Sequence, residues 1–201
     1  LLFEPAYSLV YREKTGDFVI YSALWTTNAG DIIKVYYTNS TESYEVECKE
    51  GYDVISLKYA NFEKKISFVA RRHGNVIMIN GKSNNVTVQK ELKIDNSPWY
   101  QFMELAFSDL VKNDNYGKEF WIIRISDISS FKMVVNKEKA EKITIDDKSY
   151  DSVKLKVTLT GFLSKFWSAN YWFSVSNYIF LKYSGKRGQG VPVTIVELIS
   201  D

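Results

Sequence analysis

The sequence predicts a mainly β protein, built as a strongly curved antiparallel sheet or open half-barrel with one central helix and a short helical insert. Three observations favour this fold class. Apolar and polar residues alternate with a period of two along most of the chain, as in half-buried antiparallel strands. Turn residues such as Thr15-Gly16 and Asn80-Gly81 separate the alternating runs. Aromatic residues, which favour strands, make up 15% of the 201 residues.

Composition narrows the class of protein further. A hydrophobic fraction of 45% with a charged fraction of 25% is typical of a globular chain and excludes a disordered or fibrous one. The net charge of +2 does not favour bulk binding of nucleic acid. No run approaches the roughly 20 apolar residues that span a bilayer as a helix. Since no linker-like or repeated segment occurs, we expect a single β-rich domain over residues 1–201.

The individual strands follow from the alternation. Residues 153–159 alternate cleanly, and a long strand is predicted from Asn85 to Ile94, with Val86, Val88, Leu92 and Ile94 on one face. The Asn80-Gly81 pair predicts the preceding hairpin turn. Further predicted strands cover residues 7–12, 17–21, 32–37, 44–49, 62–70, 75–80, 120–125, 131–135, 142–145, 171–175, 178–183 and 191–199.

The single cysteine, Cys48, lies in the alternating run 44–49. One cysteine excludes an internal disulfide and any cysteine-rich zinc site. Its position predicts a small buried residue in a strand, with a reactive thiol as the alternative.

The central helix is predicted at about residues 98–112. Ser97 is a suitable N-cap, and Pro98 suits the first helical position. The apolar residues that share one face of this helix are Trp99, Phe102, Met103, Ala106 and Leu110. We expect the helix to fill the concave side of the sheet.

The short helical insert is predicted at about residues 162–168, between two strands. Its apolar residues, Phe162, Leu163, Phe166 and Trp167, have the spacing of one amphipathic turn. The segment can be a lid over an apolar cavity, a shallow membrane anchor or a turn folded back on the core. The candidate residues for a cavity or lid are Trp99, Phe102, Met103, Phe162, Phe166 and Trp167.

Charge is distributed unevenly near the C-terminus, because no acid occurs between Asp151 and Glu197. This window combines lysines with many aromatic residues. Three interpretations are open. The aromatic residues fill the core while the lysines cover the solvent-exposed face, or the segment contacts a membrane surface, or it binds single-stranded nucleic acid. We expect no nucleic-acid partner. Lys182, Lys186 and Arg187 are candidate contacts for an anionic group, and the glycine-rich run 185–190 is either a hairpin loop or an anion contact.

Catalytic patterns are weak in this sequence. His73 is the only histidine and no Gly-x-Ser-x-Gly elbow occurs, which argues against a Ser-His-Asp triad and excludes multi-histidine metal sites. A pair of carboxylates can act without histidine. The candidate acids, each interpreted as a turn or surface residue, are Glu104, Asp109, Asp114 and Asp146-Asp147. We therefore predict a protein that is not an enzyme, with no catalytic residue, no metal and no cofactor.

The C-terminal segments 141–157, 173–188 and 191–194 resemble a group of exported bacterial proteins of unknown function. That group is similar in build to half-barrel lipoprotein carriers of the LolA/LolB type. The resemblance implies a location in the periplasm or cell envelope of a bacterium, and a role in binding an apolar ligand or a partner. No lipobox cysteine stands at the start of this chain, which leaves membrane anchoring open.

These observations favour a non-enzymatic envelope module that binds or carries an apolar or lipid-like ligand in a concave β-sheet. The expected partners are such a ligand, an envelope protein and peripherally a membrane. The alternative is a structural or protein-interaction module with a filled core, and a remoter alternative is a carboxylate-based hydrolase. A large apolar cavity distinguishes the first, a packed interior the second, and two acids facing each other in a cleft the third.

Overall fold

The computed structural model describes residues 7–113, 117–188 and 190–200, and it confirms the predicted mainly β fold. Fourteen strands of these residues form one antiparallel sheet in the spatial order β8-β7-β6-β5-β4-β3-β2-β1-β14-β13-β12-β11-β10-β9. The strands are β1 (Tyr7–Thr15), β2 (Phe18–Ala29), β3 (Ile32–Thr38), β4 (Glu42–Cys48), β5 (Val54–Asn61), β6 (Ile66–His73), β7 (Val76–Ser83), β8 (Val86–Lys93), β9 (Gly117–Arg124), β10 (Ser129–Ile145), β11 (Lys148–Leu159), β12 (Ser168–Ser174), β13 (Phe180–Lys186) and β14 (Val193–Ser200).

The order of the strands sorts the connections between them into two groups. Every strand is antiparallel to its neighbours, and the first and last strands, β1 and β14, pair in the middle of the sheet. All connections that follow an odd-numbered strand therefore lie at one end, which we call the mouth end. The connections that follow an even-numbered strand lie at the opposite end, called the plug end because the helical segment enters there.

The two edge strands, β8 and β9, approach each other and leave a seam. At the plug end the segment after β8 runs beside β9, where Trp99 and Trp121 form a parallel bridge. The Trp121 N–H donates to the Pro98 carbonyl over 2.7 Å, and the Tyr100 N–H donates to the Trp121 carbonyl over 2.8 Å. At the mouth end Lys90 Nζ donates to the Asp127 carbonyl over 3.4 Å. The sheet is thus an open barrel rather than a closed one.

The central helix is shorter than predicted and broken in two. It consists of α1 (Met103–Ala106) and α2 (Ser108–Lys112), which meet at Phe107. The predicted start at Pro98 is wrong. The Pro98 carbonyl and the Tyr100 N–H bond Trp121 of β9, and the Trp99 carbonyl accepts a hydrogen bond from the Val54 N–H of β5. The helical insert is present as a 3-10 helix, Gly161–Lys165.

The hairpin turn predicted at Asn80-Gly81 is also wrong. Both residues lie inside β7, and the chain turns instead at Asn84 and Asn85, which have φ of 49° and 66°. Asparagine tolerates this left-handed backbone, so Asn84-Asn85 makes the turn that was predicted at Asn80-Gly81. Val86 lies on the same face of β8 as Leu92, as predicted, because the pairing with β7 has no register shift. It follows the turn, however, and is 67% exposed where Leu92 is buried.

One strand is longer than the sequence indicates. β10 runs unbroken over the interval in which two strands, 131–135 and 142–145, were predicted. Its pairing with β11 shifts register between Lys137 and Ala140, and this bulge interrupts the alternation on which the prediction depends.

The core fills the concave side of the sheet around the helical segment. Trp99, Phe107 and Phe120 have no exposed surface, and they pack with inward-facing residues of most strands. Cys48 belongs to this core, as predicted: it is 2% exposed, and burial raises the pKa of its thiol to about 12. The lower part of the barrel is therefore closely packed.

Candidate functional site: the barrel mouth

Two of the predicted ligand-binding residues face the interior just below the mouth. Phe102 and Met103 stand at the start of α1 and are half-buried. The Phe102 ring lies 5.8 Å from that of Tyr37 and 5.5 Å from that of Tyr44. The Tyr171 hydroxyl donates to Met103 Sδ over 3.3 Å. Trp99, by contrast, is fully buried at the seam and does not join them.

The insert lies at the mouth end but does not cover the interior. Phe162 and Phe166 are 75% and 68% exposed, and their rings pack on each other with centroids 5.5 Å apart. Trp167 is half-buried, and its Nε1 donates to the Lys186 carbonyl over 2.6 Å. The structure therefore places these aromatics on the outer rim.

Of the three candidate basic residues, one reaches the mouth itself. Lys182 lies on the outer face of β13, where its Nζ is 2.7 Å from Glu197 Oε1. Lys186 is exposed at the end of that strand. Arg187 points over the mouth, and its guanidinium is 2.7 Å from Glu13 Oε2. The anionic partner of Arg187 is therefore already a residue of this chain.

Lys154 of the acid-free window also has an acidic partner on a neighbouring strand. Lys154 Nζ lies 3.1 Å from Glu138 Oε2, and Trp172 Nε1 donates to Glu141 over 2.6 Å. The adjacent strands therefore supply acids beside Lys154, Lys182 and Trp172 that the window itself lacks.

Two interior acids, Glu13 and Glu104, form the polar part of the site. Glu104 was predicted as a turn or surface residue, and Glu13 was not predicted as a site residue. Glu13 is only 8% exposed and accepts the bond from Arg187. Glu104, on α1, makes no side-chain hydrogen bond or ion pair with another described residue, and burial raises the pKa of its carboxyl. The alternation along β1 could have identified Glu13, because this residue continues the series of inward-facing residues Leu9 and Tyr11.

Tyrosines form much of the wall around these acids. Burial raises the pKa of Tyr37 and of Tyr183 to about 12, and it raises the pKa of Tyr44 and of Tyr171 well above the ordinary value of tyrosine. All four hydroxyls are thus neutral at physiological pH. The mouth offers aromatic faces, neutral hydroxyls and the carboxyl of Glu104, which has no side-chain partner among the described residues.

The space below the mouth is not completely filled. Five inward-facing side chains there keep part of their surface accessible: Tyr37, Tyr44, Phe102, Met103 and Glu104. Arg187, above them, has a side chain that is 49% exposed even though it is bonded to Glu13. Residues deeper in the barrel, such as Phe107 and Phe120, have no exposed surface. The interior is also accessible near the plug end, where Gly51, Tyr100, Ala106, Leu110 and Gly117 line a pocket.

The raised pKa of Glu104 predicts how stability depends on pH. A group whose pKa is higher in the folded state stabilises that state below its ordinary pKa, and this contribution is lost as the pH rises through the raised value. The groups that act on Glu104 are Arg187, which lowers its pKa, and Glu13, which raises it. Glu104→Gln removes the titration, so we expect the variant to gain stability over the wild type between pH 4.5 and 8. Each unit of upward shift corresponds to about 1.4 kcal/mol.

The measurement is urea unfolding of both proteins at several pH values. The difference between their unfolding free energies cancels the other titrating groups, provided that these are unchanged. A difference that stays constant from pH 4.5 to 8 would show that the Glu104 carboxyl is as well solvated in the folded state as in the unfolded one.

The other candidate acids lie elsewhere. Asp109 is paired with Lys112 on α2, at 3.3 Å, and Asp146 is paired with Arg12 on the outer face, at 2.8 Å. Asp147 is exposed beside Asp146, and Asp114 lies outside the described residues. Glu104 and Glu13 are thus the acids that the structure brings together in the interior.

His73 stands exposed at the end of β6. Within residues 7–113, 117–188 and 190–200, no group of three or more histidine, cysteine or acidic side chains is arranged to hold a metal ion. None of the helices in the same ranges has the length and hydropathy needed to cross a membrane.

The comparison with solved structures identifies a protein of similar fold. A crystal structure of a β-barrel-like protein of a domain of unknown function, DUF1849, from Brucella abortus matches with a TM-score of 0.64 and 8% identity. The match covers 96% of this chain and 95% of that chain. No family model and no curated protein matches the sequence. At this identity the likeness shows the fold alone, and that fold is all-β and barrel-like.

Proposed function

We propose that this protein is a non-enzymatic module that binds an apolar or lipid-like ligand in the mouth of its barrel. The observation that carries the proposal is the set of inward-facing side chains, Tyr37, Tyr44, Phe102, Met103 and Glu104, that keep accessible surface below the open end. Ligand sites are typically concave, mainly apolar and aromatic, and furnished with a few polar groups. Burial of apolar ligand surface supplies affinity at about 0.8 kcal/mol per CH₂.

The polar groups of the mouth suggest the chemistry of the ligand's head. Arg187 is neutralised by Glu13, while Glu104 has no side-chain partner among the described residues. An unpaired carboxyl among aromatic rings favours a hydroxyl, amide or amine over a carboxylate or phosphate. We therefore expect an acyl chain or another apolar body that carries a neutral or cationic polar group.

We further propose an envelope location and a carrier role of the LolA/LolB kind. The support is the C-terminal resemblance together with a curved sheet whose concave side holds a helical segment. The buried side chains of Trp99, Phe107 and Phe120 support the alternative of an interaction module with a filled core. Glu104 supports the remoter hydrolase alternative, because burial raises the pKa of its carboxyl, as a general acid requires.

The binding proposal is tested by titration with N-phenyl-1-naphthylamine, an uncharged apolar probe that fluoresces on leaving water. We expect saturable binding by delipidated wild-type protein. Phe102→Ala removes a ring that contacts Tyr37 and Tyr44, and we expect it to weaken binding at least tenfold, about 1.4 kcal/mol. The control Phe166→Ala removes the same ring from the outer rim and is expected to bind like the wild type.

Native mass spectrometry of protein purified from a bacterial envelope extract separates the three candidates. A carrier releases an intact mass of lipid size on denaturation, and a hydrolase releases products. A bare protein mass, under conditions that preserve a known lipid–carrier complex, would favour the filled-core module. Equal probe affinities for the wild type and Phe102→Ala would contradict the proposed site.

A further inference from the structure

The outer surface of the barrel carries an uneven distribution of apolar side chains. Among the described residues, the large hydrophobic side chains with high exposure number twelve. Nine of them stand on or next to the mouth-end connections, and a tenth, Tyr21, is the fourth residue of β2 counted from the same end. These ten, called the rim here, are Phe18, Val19, Tyr21, Phe62, Val86, Phe162, Leu163, Phe166, Val191 and Val193. The other two are Val175 and Ile199. Exposed apolar groups concentrated in one region mark an interaction surface.

The rim is spread over separate hairpins rather than gathered in one groove. Phe18 stands at the β1–β2 turn, Phe62 at the β5–β6 turn, and Phe162 and Phe166 on the insert between β11 and β12. Their exposed fractions are 80%, 62%, 75% and 68%. Because these side chains stand around an opening on separate turns, they suit a broad, deformable surface into which each side chain inserts separately.

The turns that carry the rim residues are predominantly positively charged. Six exposed lysines accompany the rim, and none of them makes an ion pair with another described residue: Lys14, Lys64, Lys65, Lys82, Lys165 and Lys186. The acids on these connections are fewer, and Asp127 and Glu42 among them are bonded to Arg124 and to the Tyr59 hydroxyl. The turns at the plug end carry both signs. Apolar tips flanked by lysines are complementary to an anionic lipid surface.

We propose that the rim docks the barrel, mouth first, on a membrane that contains anionic phospholipid. The aromatic and aliphatic side chains of the rim enter the interface between headgroups and acyl chains, while the lysines remain at the headgroups. This orientation sets the accessible interior directly against the lipid. Docking through the rim does not require that the interior holds a ligand.

Vesicle co-sedimentation tests this orientation. We expect the wild type to bind vesicles of phosphatidylcholine with 30% phosphatidylglycerol, to bind pure phosphatidylcholine vesicles more weakly, and to lose affinity as salt increases. The double variant Phe162→Ser/Phe166→Ser is expected to lose at least tenfold in affinity for the anionic vesicles. The matched control is Val175→Ser/Ile199→Ser, which removes the two exposed apolar side chains outside the rim and is expected to bind normally.

Three results would overturn the proposal. The first is wild-type protein that stays in the supernatant with both kinds of vesicle. The second is an equal loss of vesicle affinity in the rim and control variants. The third is concentration-dependent self-association through the rim in place of vesicle binding. Circular dichroism checks that both double variants are folded. Binding of N-phenyl-1-naphthylamine is expected to be unchanged in both, so that failure of the rim and failure of the interior site give different results.

Discussion

Replacing Phe107 by alanine is expected to destabilise the protein by about 3–5 kcal/mol, the range observed for buried aromatic residues. Phe107 has no exposed surface and links the two short helices. Its ring lies 5.3 Å from that of Phe120, 5.5 Å from that of Tyr171 and 6.2 Å from that of Tyr100. The variant loses these contacts at once and leaves a cavity where the helical segment meets the sheet.

Urea unfolding measures the effect, with Phe162→Ala as the matched control. Phe162 is 75% exposed, so the control is expected to change the unfolding free energy by no more than about 0.5 kcal/mol. If Phe107→Ala remains folded, the cavity also enlarges the interior, and we expect it to bind more N-phenyl-1-naphthylamine than the wild type. A loss below about 1 kcal/mol would mean that the helical segment is not packed against the sheet as described.

Replacing Gly81 by alanine is expected to destabilise the protein by about 3 kcal/mol, the upper part of the usual range for overpacking. Gly81 lies in the middle of β7, opposite Phe68 of β6. A Cβ at this position would overlap the carbonyl oxygen of Ser67 and the Cβ of Phe68. These atoms belong to or adjoin the backbone of a central strand, so the clash is relieved only if the two strands move apart.

Gly188→Ala is the control for this second substitution. The nearest atom to its added Cβ is Val191 Cγ2, at 3.4 Å, which is a contact that a loop tolerates. Thermal unfolding of the two variants measures the difference, and we expect only Gly81→Ala to lower the midpoint, by about 6–12 °C for a domain of this size. Similar midpoints for both variants would show that β6 and β7 are not held at this close approach.

These two sites illustrate why some local predictions were wrong. Asn80-Gly81 is a favoured hairpin pair, but the glycine is needed where β6 and β7 come close, and Asn84-Asn85 makes the turn instead. Likewise Pro98 is suited to begin a helix, but its carbonyl and the neighbouring backbone groups bond Trp121 of β9. In both cases a partner more than a dozen residues away outweighs the local preference.

The site was predicted only in part. Phe102 and Met103 were identified because helical spacing places them on one apolar face, and they do face the interior. The role of Glu104 depends on tyrosines and charged residues of distant strands. The helical periodicity of residues 98–112 does not reveal those neighbours. Phe162 and Phe166 were predicted as an amphipathic turn, but only the course of β11 and β12 decides that this turn stands on the rim.

By itself the sequence determined the all-β class, most strands, the buried Cys48 and the presence of a helical segment, because these follow from periodicity and turn chemistry within short windows. The tertiary structure alone decided that β1 pairs with β14, that the seam lies between β8 and β9, and that the odd-numbered connections meet at one end. Those arrangements bring together Glu13, Glu104 and Arg187, and separately the apolar rim. Their physical reason is long-range strand pairing, which closes the sheet around residues that are far apart in the chain.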